Sequence, residues 1–313
     1  MSFRNRILEK LRRKTIFSYA HVDPTDICNL NCYSCRRPRT GHSIMTPQTF
    51  QRILDKIKGE SIKHMLLYWR GEPCLNPHLP ELARLTKKLD PSIITYTSTN
   101  TAVPNLHNKD YVTKLLSNLN RLEICVDGYN QQSISKYRRG ANWKLMLKNL
   151  ETISRVKTDA EKRMRVLMFR WNEGREDWFI ELAKKYNMDI LRFGKPVIND
   201  KTVLSLEEAE YWLTKNPKYW RYRRVGDKFI VRSRNTCVPH CIITTTGEVA
   251  FCGVDMSMQY GSAGNVLTEP LDIIKERYWK FAPKMYNKEL DICKNNCCCM
   301  PAPRFSVNVV AKL

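Results

Sequence analysis

Cys28-Asn29-Leu30-Asn31-Cys32-Tyr33-Ser34-Cys35 is the stretch from which the rest of this chain can be read. It spaces three thiols as C-x3-C-x2-C, just after Tyr19-Ala20-His21-Val22-Asp23, which reads as a β-strand. An ordinary iron–sulfur site is closed by four thiolates. Three thiolates hold three irons of a cubane and leave the fourth open to a small molecule. Reactive metal sites need such an open position, and structural sites avoid it. Structural zinc is the competing reading, but it takes four ligands, usually as paired C-x2-C units. No second pair follows in this region. Three merely buried cysteines would not need so regular a spacing.

Outward from the triad, the chain alternates strand and helix patterns. Pro47 to Ile57 has a helix start signal, with Thr46 as N-cap and Pro47 at the first helical position. Strands are expected at 64–69, 93–98, 121–126, 164–169 and 189–193, separated by helices at 79–89, 108–118, 131–137, 142–155 and 175–186. With the strand before the cysteines this makes six. The alternation argues for an α/β fold with a parallel sheet of right-handed βαβ units. The βα loops, with the triad in the first, then gather at the C-terminal edge of the sheet, where such folds place their chemistry. Residues 195–235 interrupt the rhythm with Ser205-Leu206-Glu207-Glu208, an acidic helix start, and with Tyr219-Trp220-Arg221-Tyr222-Arg223-Arg224. The second segment reads either as a linker helix packing its rings on the barrel or as a groove whose rings stack on bases. There are no internal repeats or low-complexity tracts.

Three further strings stand at strand ends. Tyr68-Trp69-Arg70-Gly71-Glu72-Pro73 ends the second strand, Thr97-Ser98-Thr99-Asn100-Thr101 the third, and Glu123-Ile124-Cys125-Val126-Asp127-Gly128 the fourth. In this order, with the triad, they resemble the radical S-adenosylmethionine (SAM) enzymes over residues 20–195. The resemblance implies a partial (β/α)6 TIM-like barrel. The triad Cys28, Cys32 and Cys35 would hold a [4Fe–4S] cluster whose open iron binds SAM. Tyr33, Gly71, Glu72, Pro73, Asn100, Cys125 and Arg138 would form the SAM pocket. Two positions depart from the family text. Arg70 stands where the first glycine of a GGE motif is usual, and Cys125 replaces a serine. Cys125 either fills that space or serves as a hydrogen-atom donor inside the barrel; no other catalytic residue can be named. A glycine such as Gly71 lets backbone approach a ligand closely.

Seven of the twelve cysteines fall in the last quarter: Cys237, Cys241, Cys252, Cys293, Cys297, Cys298 and Cys299. Thr244 to Phe251 alternates like a hairpin turning at Gly247. This part is similar to the SPASM or shorter twitch domain of radical SAM enzymes, with Gly264-Asn265-Val266, Leu271 and Trp279 matching its connecting segment. The resemblance implies one auxiliary [4Fe–4S] cluster on Cys237, Cys252, Cys293 and Cys297, with Cys298 able to replace Cys297. A second auxiliary cluster would need nearly every remaining cysteine and is not expected. A zinc ribbon is the structural alternative. The expected organisation is a basic helix in 1–18, the barrel in 19–195, a linker or helical insertion in 196–235, and an auxiliary-cluster domain in 236–313.

The 313 residues are 42% hydrophobic, enough for a substantial core. No apolar run reaches membrane-spanning length, and no apolar stretch follows the charged N-terminus as in a signal peptide. Cysteine use fits metal ligation in a reducing compartment, so a cytoplasmic location is expected. The net charge of +22 favours a polyanionic partner, DNA, RNA or a nucleotide. The expected activity is reductive SAM cleavage followed by hydrogen abstraction from a nucleic-acid or nucleotide substrate. The alternatives are a peptide or protein maturase and a dehydrogenase of a small alcohol. Flavodoxin or ferredoxin would supply the electron.

Overall fold

The computed structural model describes residues 16–198, 203–232, 240–287, 289–296 and 310–312. The basic helix expected near the N-terminus, Cys237 and Cys297 to Cys299 lie outside these residues.

Six parallel strands form the centre: β1 (Tyr19–Val22), β2 (His64–Leu66), β3 (Ile94–Thr99), β4 (Arg121–Cys125), β5 (Glu161–Leu167) and β6 (Ile190–Gly194). They pair in sequence order, each joined to the next by helical crossovers. The helices Pro47–Ile57, Leu79–Leu89, Lys109–Leu116, Gln131–Tyr137, Trp143–Ser154 and Glu176–Lys185 fall within two residues of their expected bounds. Local chemistry explains why. The Thr46 hydroxyl accepts from the Thr49 amide at 3.1 Å. Asn108, Asn130 and Asn142 cap the helices that start at Lys109, Gln131 and Trp143 in the same way. Each helix turns a stripe such as Phe50, Ile53, Leu54 and Ile57 onto the sheet, where these side chains lose all contact with water.

Strand alternation then sets the site. Ala20, Val22, Met65, Leu122, Ile124, Met164, Val166, Leu191 and Phe193 pack under the helices. Their neighbours in sequence, including His21, Leu66, Tyr96, Ser98, Glu123, Cys125, Arg165 and Arg192, line the concave face.

Beyond the six strands, two regions depart from expectation. Residues 203–231 hold the helix expected after Ser205, capped by Ser205 and Glu208, but the rest is strand where a linker was expected. One short helix (Leu206–Trp212) sits beside a three-stranded antiparallel sheet of β7 (Val203–Leu204), β9 (Lys228–Val231) and β8 (Tyr222–Val225). The β8–β9 hairpin turns at Gly226, whose φ of +58° suits glycine. Further on, β10 (Cys241–Ile243) and β11 (Glu248–Ala250) form the hairpin expected around Gly247, where φ is +90°. That hairpin does not stand apart: β10 pairs parallel with β1, register Ala20 to Cys241, and β12 (Ser262–Asn265) extends the same sheet. Helices Leu271–Tyr286 and Asp291–Asn296 follow, and β13 (Val310–Lys312) pairs antiparallel with β6 at the opposite edge. No helix among the described residues is long and apolar enough to cross a membrane.

Candidate active site

The concave face encloses a cavity of about 610 Å³. Cys28, Cys32 and Cys35 line it, together with Gly71, Glu72, Pro73, Asn100, Cys125 and Arg138. Loops that lie up to 110 residues apart in the chain therefore converge on one space. Tyr33 is the exception. Its backbone amide donates to Tyr137 O at 2.9 Å, but its ring packs on Trp212 (4.4 Å between centroids) and under the Arg139 guanidinium.

The cysteine loop is held from both sides. Asn31 N donates to Arg139 O at 2.9 Å, tying the loop to the segment after β4. The Arg37 guanidinium donates to the carbonyls of Cys28 (3.0 Å) and Leu30 (3.2 Å) from within the loop. Asn100 Nδ2 donates to Asn29 Oδ1 at 2.9 Å and lies 3.9 Å from Cys28 Sγ. Burial pushes the Cys32 thiol up to about 11 and raises Cys28 too. These groups are neutral thiols until a metal displaces the proton.

Glu72 is buried and accepts three hydrogen bonds: Thr99 Oγ1 (2.7 Å), Asn100 N (2.7 Å) and Cys74 N (3.1 Å). It thus welds the second and third βα loops together. Gly71 also has a role the sequence did not suggest. A Cβ there would lie 2.0 Å from Thr25 O and 2.5 Å from Ile27 O, so its bareness admits the cysteine loop's own backbone. Arg70 donates to Asp23 Oδ2 at 2.8 Å and still lines the cavity. Burial raises the Asp23 carboxyl to about 6, with Arg70 opposing the shift.

Beyond the end of β4, the Arg138 guanidinium, at the C-cap of the helix Gln131–Tyr137, donates to Asp127 Oδ2 at 2.6 Å, and Asp127 Oδ1 accepts from Leu167 N at 2.7 Å. Both side chains are buried. Cys125 Sγ lies 3.2 Å from Arg165 Nη2 and 3.6 Å from Ser98 Oγ. The sequence did not single out Arg165, Arg192, Lys195 or His240, and it offered His21, Tyr68 and Arg221 only as members of longer strings, yet all of them line the cavity. The signal was polar residues at alternate strand positions, which an open sheet would have turned to solvent.

Of the two readings of the aromatic-basic segment, packing of its rings onto the protein holds, though from a 3-10 turn and a strand and not from a helix, and the base-stacking groove is corrected. Tyr219 and Tyr222 are buried, Tyr222 with its hydroxyl accepting from Ile198 N at 2.9 Å. Trp220 donates to Thr214 O at 2.6 Å and packs on Phe229. These rings belong to the core and cannot stack on bases.

The family model of the radical SAM superfamily matches residues 22–203. This chain belongs to the radical SAM superfamily. Among solved structures, this radical SAM protein is similar to SuiB of Streptococcus suis bound to the precursor peptide SuiA. The match has a TM-score of 0.61 at 14% identity and covers 88% of this chain and 67% of that one. It is also similar to anSMEcpe with bound AdoMet and Cp18Cys peptide, with TM-score 0.59, 15% identity, and 88% and 85% coverage. BtrN in complex with AdoMet and 2-DOIA gives 0.56, 13%, 90% and 93%. Identities this low establish the shared fold alone. No protein of curated function matches the chain in sequence.

The residues fit the family's cluster and SAM. The donors are three soft thiols on one loop, facing a cavity large enough for a small-molecule ligand. Among the described residues no three His, Cys, Asp or Glu side chains converge on a single ion position. Thiolates that each bind a different iron would not converge on one point. Cys252 is half-buried and Cys293 buried, and neither lines this cavity.

Proposed function

We propose that the protein reductively cleaves SAM and directs the resulting radical at a substrate held inside the barrel. The observation that carries this reading is the convergence of Cys28, Cys32 and Cys35 with Glu72, Asn100, Cys125 and Arg138 on one cavity. Cys28, Cys32 and Cys35 would hold a [4Fe–4S] cluster. When bound, cluster and SAM together supply one electron and a 5′-deoxyadenosyl radical able to take a hydrogen atom. The chain's own residues bind and orient. Arg138, held by Asp127, offers a fixed cation to the SAM carboxylate. The loop welded by Glu72 offers strand-end backbone to its ammonium group. An electron donor of the flavodoxin or ferredoxin class is required.

We place an auxiliary [4Fe–4S] cluster of the SPASM or twitch kind on Cys237, Cys252, Cys293 and Cys297. What supports it is the cysteine spacing together with the Gly247 hairpin. Of the substrate classes, a nucleotide-sized molecule fits best. The surface reading for long nucleic acids rested partly on Tyr219 and Tyr222, which are core residues. The peptides in the SuiB and anSMEcpe structures belong to those proteins. The test is anaerobic reconstitution with iron and sulfide counting. About four irons per chain support the triad cluster and about eight add the auxiliary one. A protein that takes up zinc and no iron would refute the proposal.

A further inference from the structure

Cys32 and Cys35 line the cavity, but Tyr33 between them does not. Its half-buried ring packs on Trp212, 4.4 Å between centroids. Trp212 passes the ring contacts on to Trp171 at 5.5 Å and to Tyr211 at 5.1 Å, and Tyr211 is 55% exposed. An unbroken run of rings thus leads from the loop that carries the triad thiols to the protein surface, outside the cavity.

Cations stand over these rings. The Arg139 guanidinium lies 4.9 Å from the Tyr33 ring centroid, and the Lys136 ammonium 5.4 Å from that of Trp171. Arg39 donates to Leu30 O at 3.3 Å, next to Asn31, whose amide donates to Arg139 O at 2.9 Å. All three side chains are exposed, and none has an ion-pair partner among the described residues. Exposed cations are satisfied by water, so their charge alone carries nothing. Their placement does. Three segments far apart in the chain build one patch: Arg39 comes from the cysteine loop, Lys136 and Arg139 from the helix Gln131–Tyr137 and the turn behind it, and Tyr211 and Trp212 from the helix Leu206–Trp212.

We propose that this patch is the docking face for the electron donor, an acidic carrier of the flavodoxin class. The flat flavin edge would meet the rings, and the carboxylates around it would meet Arg39, Lys136 and Arg139. The inference rests on the proposed SAM chemistry, which requires a donor, and assigns where that donor binds. The carrier's anionic flavin hydroquinone loses one electron to the group held by the triad and becomes the neutral semiquinone, with no proton transferred. Approach from this side leaves the cavity to SAM and substrate. Glu207 and Glu210, exposed on the Tyr211 helix, repel such a partner and confine it to the cationic side of the rings. A carrier that must leave once spent suits a small, charge-steered contact.

The experiment uses the anaerobically reconstituted full-length holoenzyme and a purified flavodoxin. Calorimetric titration with oxidised flavodoxin reads binding, mixing with its hydroquinone reads semiquinone formation, and dithionite-driven 5′-deoxyadenosine formation reads the chemistry without a docked carrier. Wild-type binding should weaken as salt is raised. Lys136→Glu and Arg139→Glu should each weaken binding and slow semiquinone formation about tenfold or more at low salt. Iron content and dithionite-driven cleavage should stay unchanged. Tyr211→Ala should also weaken binding, whereas Lys114→Glu, which reverses an exposed charge on the helix Lys109–Leu116, should change nothing. Patch variants that bind and oxidise flavodoxin as wild type does, or an equal loss from Lys114→Glu, would overturn the inference alone. So would a wild type that carries iron and cleaves SAM under dithionite yet binds no flavodoxin, or binds only a ferredoxin. Failure to load iron or to cleave SAM under dithionite would instead refute the enzyme reading on which it rests.

Discussion

The two walls of one cavity are built on opposite electrostatic plans. On the side of β1 to β4, every charged group that lines the space is tied down: Glu72 by three hydrogen bonds, Arg70 by Asp23, Arg138 by Asp127. On the side of β6 and the inserted sheet, Arg192, Lys195 and Arg221 lack counter-ions among the described residues. A wall whose groups satisfy each other holds its shape with or without ligand, as a cofactor cradle must. A wall of unmatched cations is completed only by something that enters. One side of the cavity is thus electrostatically closed on itself, and the other carries cations that no described carboxylate neutralises.

The largest effect should come from the first wall. Replacing Cys28, Cys32 or Cys35 by Ala should abolish SAM cleavage and remove about four irons per chain, read by iron analysis and 5′-deoxyadenosine assay. Gly71→Ala should come next. Its Cβ has no room against Thr25 and Ile27 carbonyls, so the cysteine loop must shift. Cluster retention should fall along with stability, by about 1–3 kcal/mol for overpacking.

Arginine substitutions on the two walls should then differ in sign. Arg138→Gln leaves buried Asp127 without its cation and should cost on the order of 3 kcal/mol in urea unfolding. Arg192→Gln removes a half-buried cation that has no ion-pair partner among the described residues, so it lifts a burial cost and should leave stability unchanged or raised. Equal losses at both positions would erase the contrast.

Asp23 gives a smaller, pH-dependent effect. Its folded-state value of about 6 lies above the ordinary carboxylate value, so the folded chain keeps this proton to higher pH than the unfolded chain does. The contribution to stability is therefore full below pH ~4 and lost as pH rises through about 6. Asp23→Asn should flatten the change in unfolding free energy across that window. The smallest change should come from Tyr222→Phe, which removes the hydroxyl that accepts from Ile198 N. It should cost about 1 kcal/mol of stability and leave SAM cleavage intact.

The first wall was legible in the sequence and the second was not. Strand bounds from β1 to β6 could be read because apolar alternation and capping residues such as Thr46 and Asn142 are local signals. The triad, the Gly71-Glu72-Pro73 string and Asn100 carried their own text. Glu123, Arg165 and Arg192 carry no motif of their own, and only the strand alternation within the folded sheet places them on the cavity. The segment 219–224 misled for a related reason. Its alternating rings and arginines suit a strand, and the turn at Gly226-Asp227 pairs Tyr222–Val225 with Lys228–Val231. The β10–β1 pairing was beyond reach, because nothing local links residues 221 positions apart.

The most direct test of the account is SAM cleavage by the anaerobically reconstituted chain under dithionite, beside its Cys32→Ala variant. The account predicts 5′-deoxyadenosine and methionine from the wild type and none from the variant. Wild-type protein that carries a full complement of iron yet yields no 5′-deoxyadenosine, or a variant that yields as much, would contradict it.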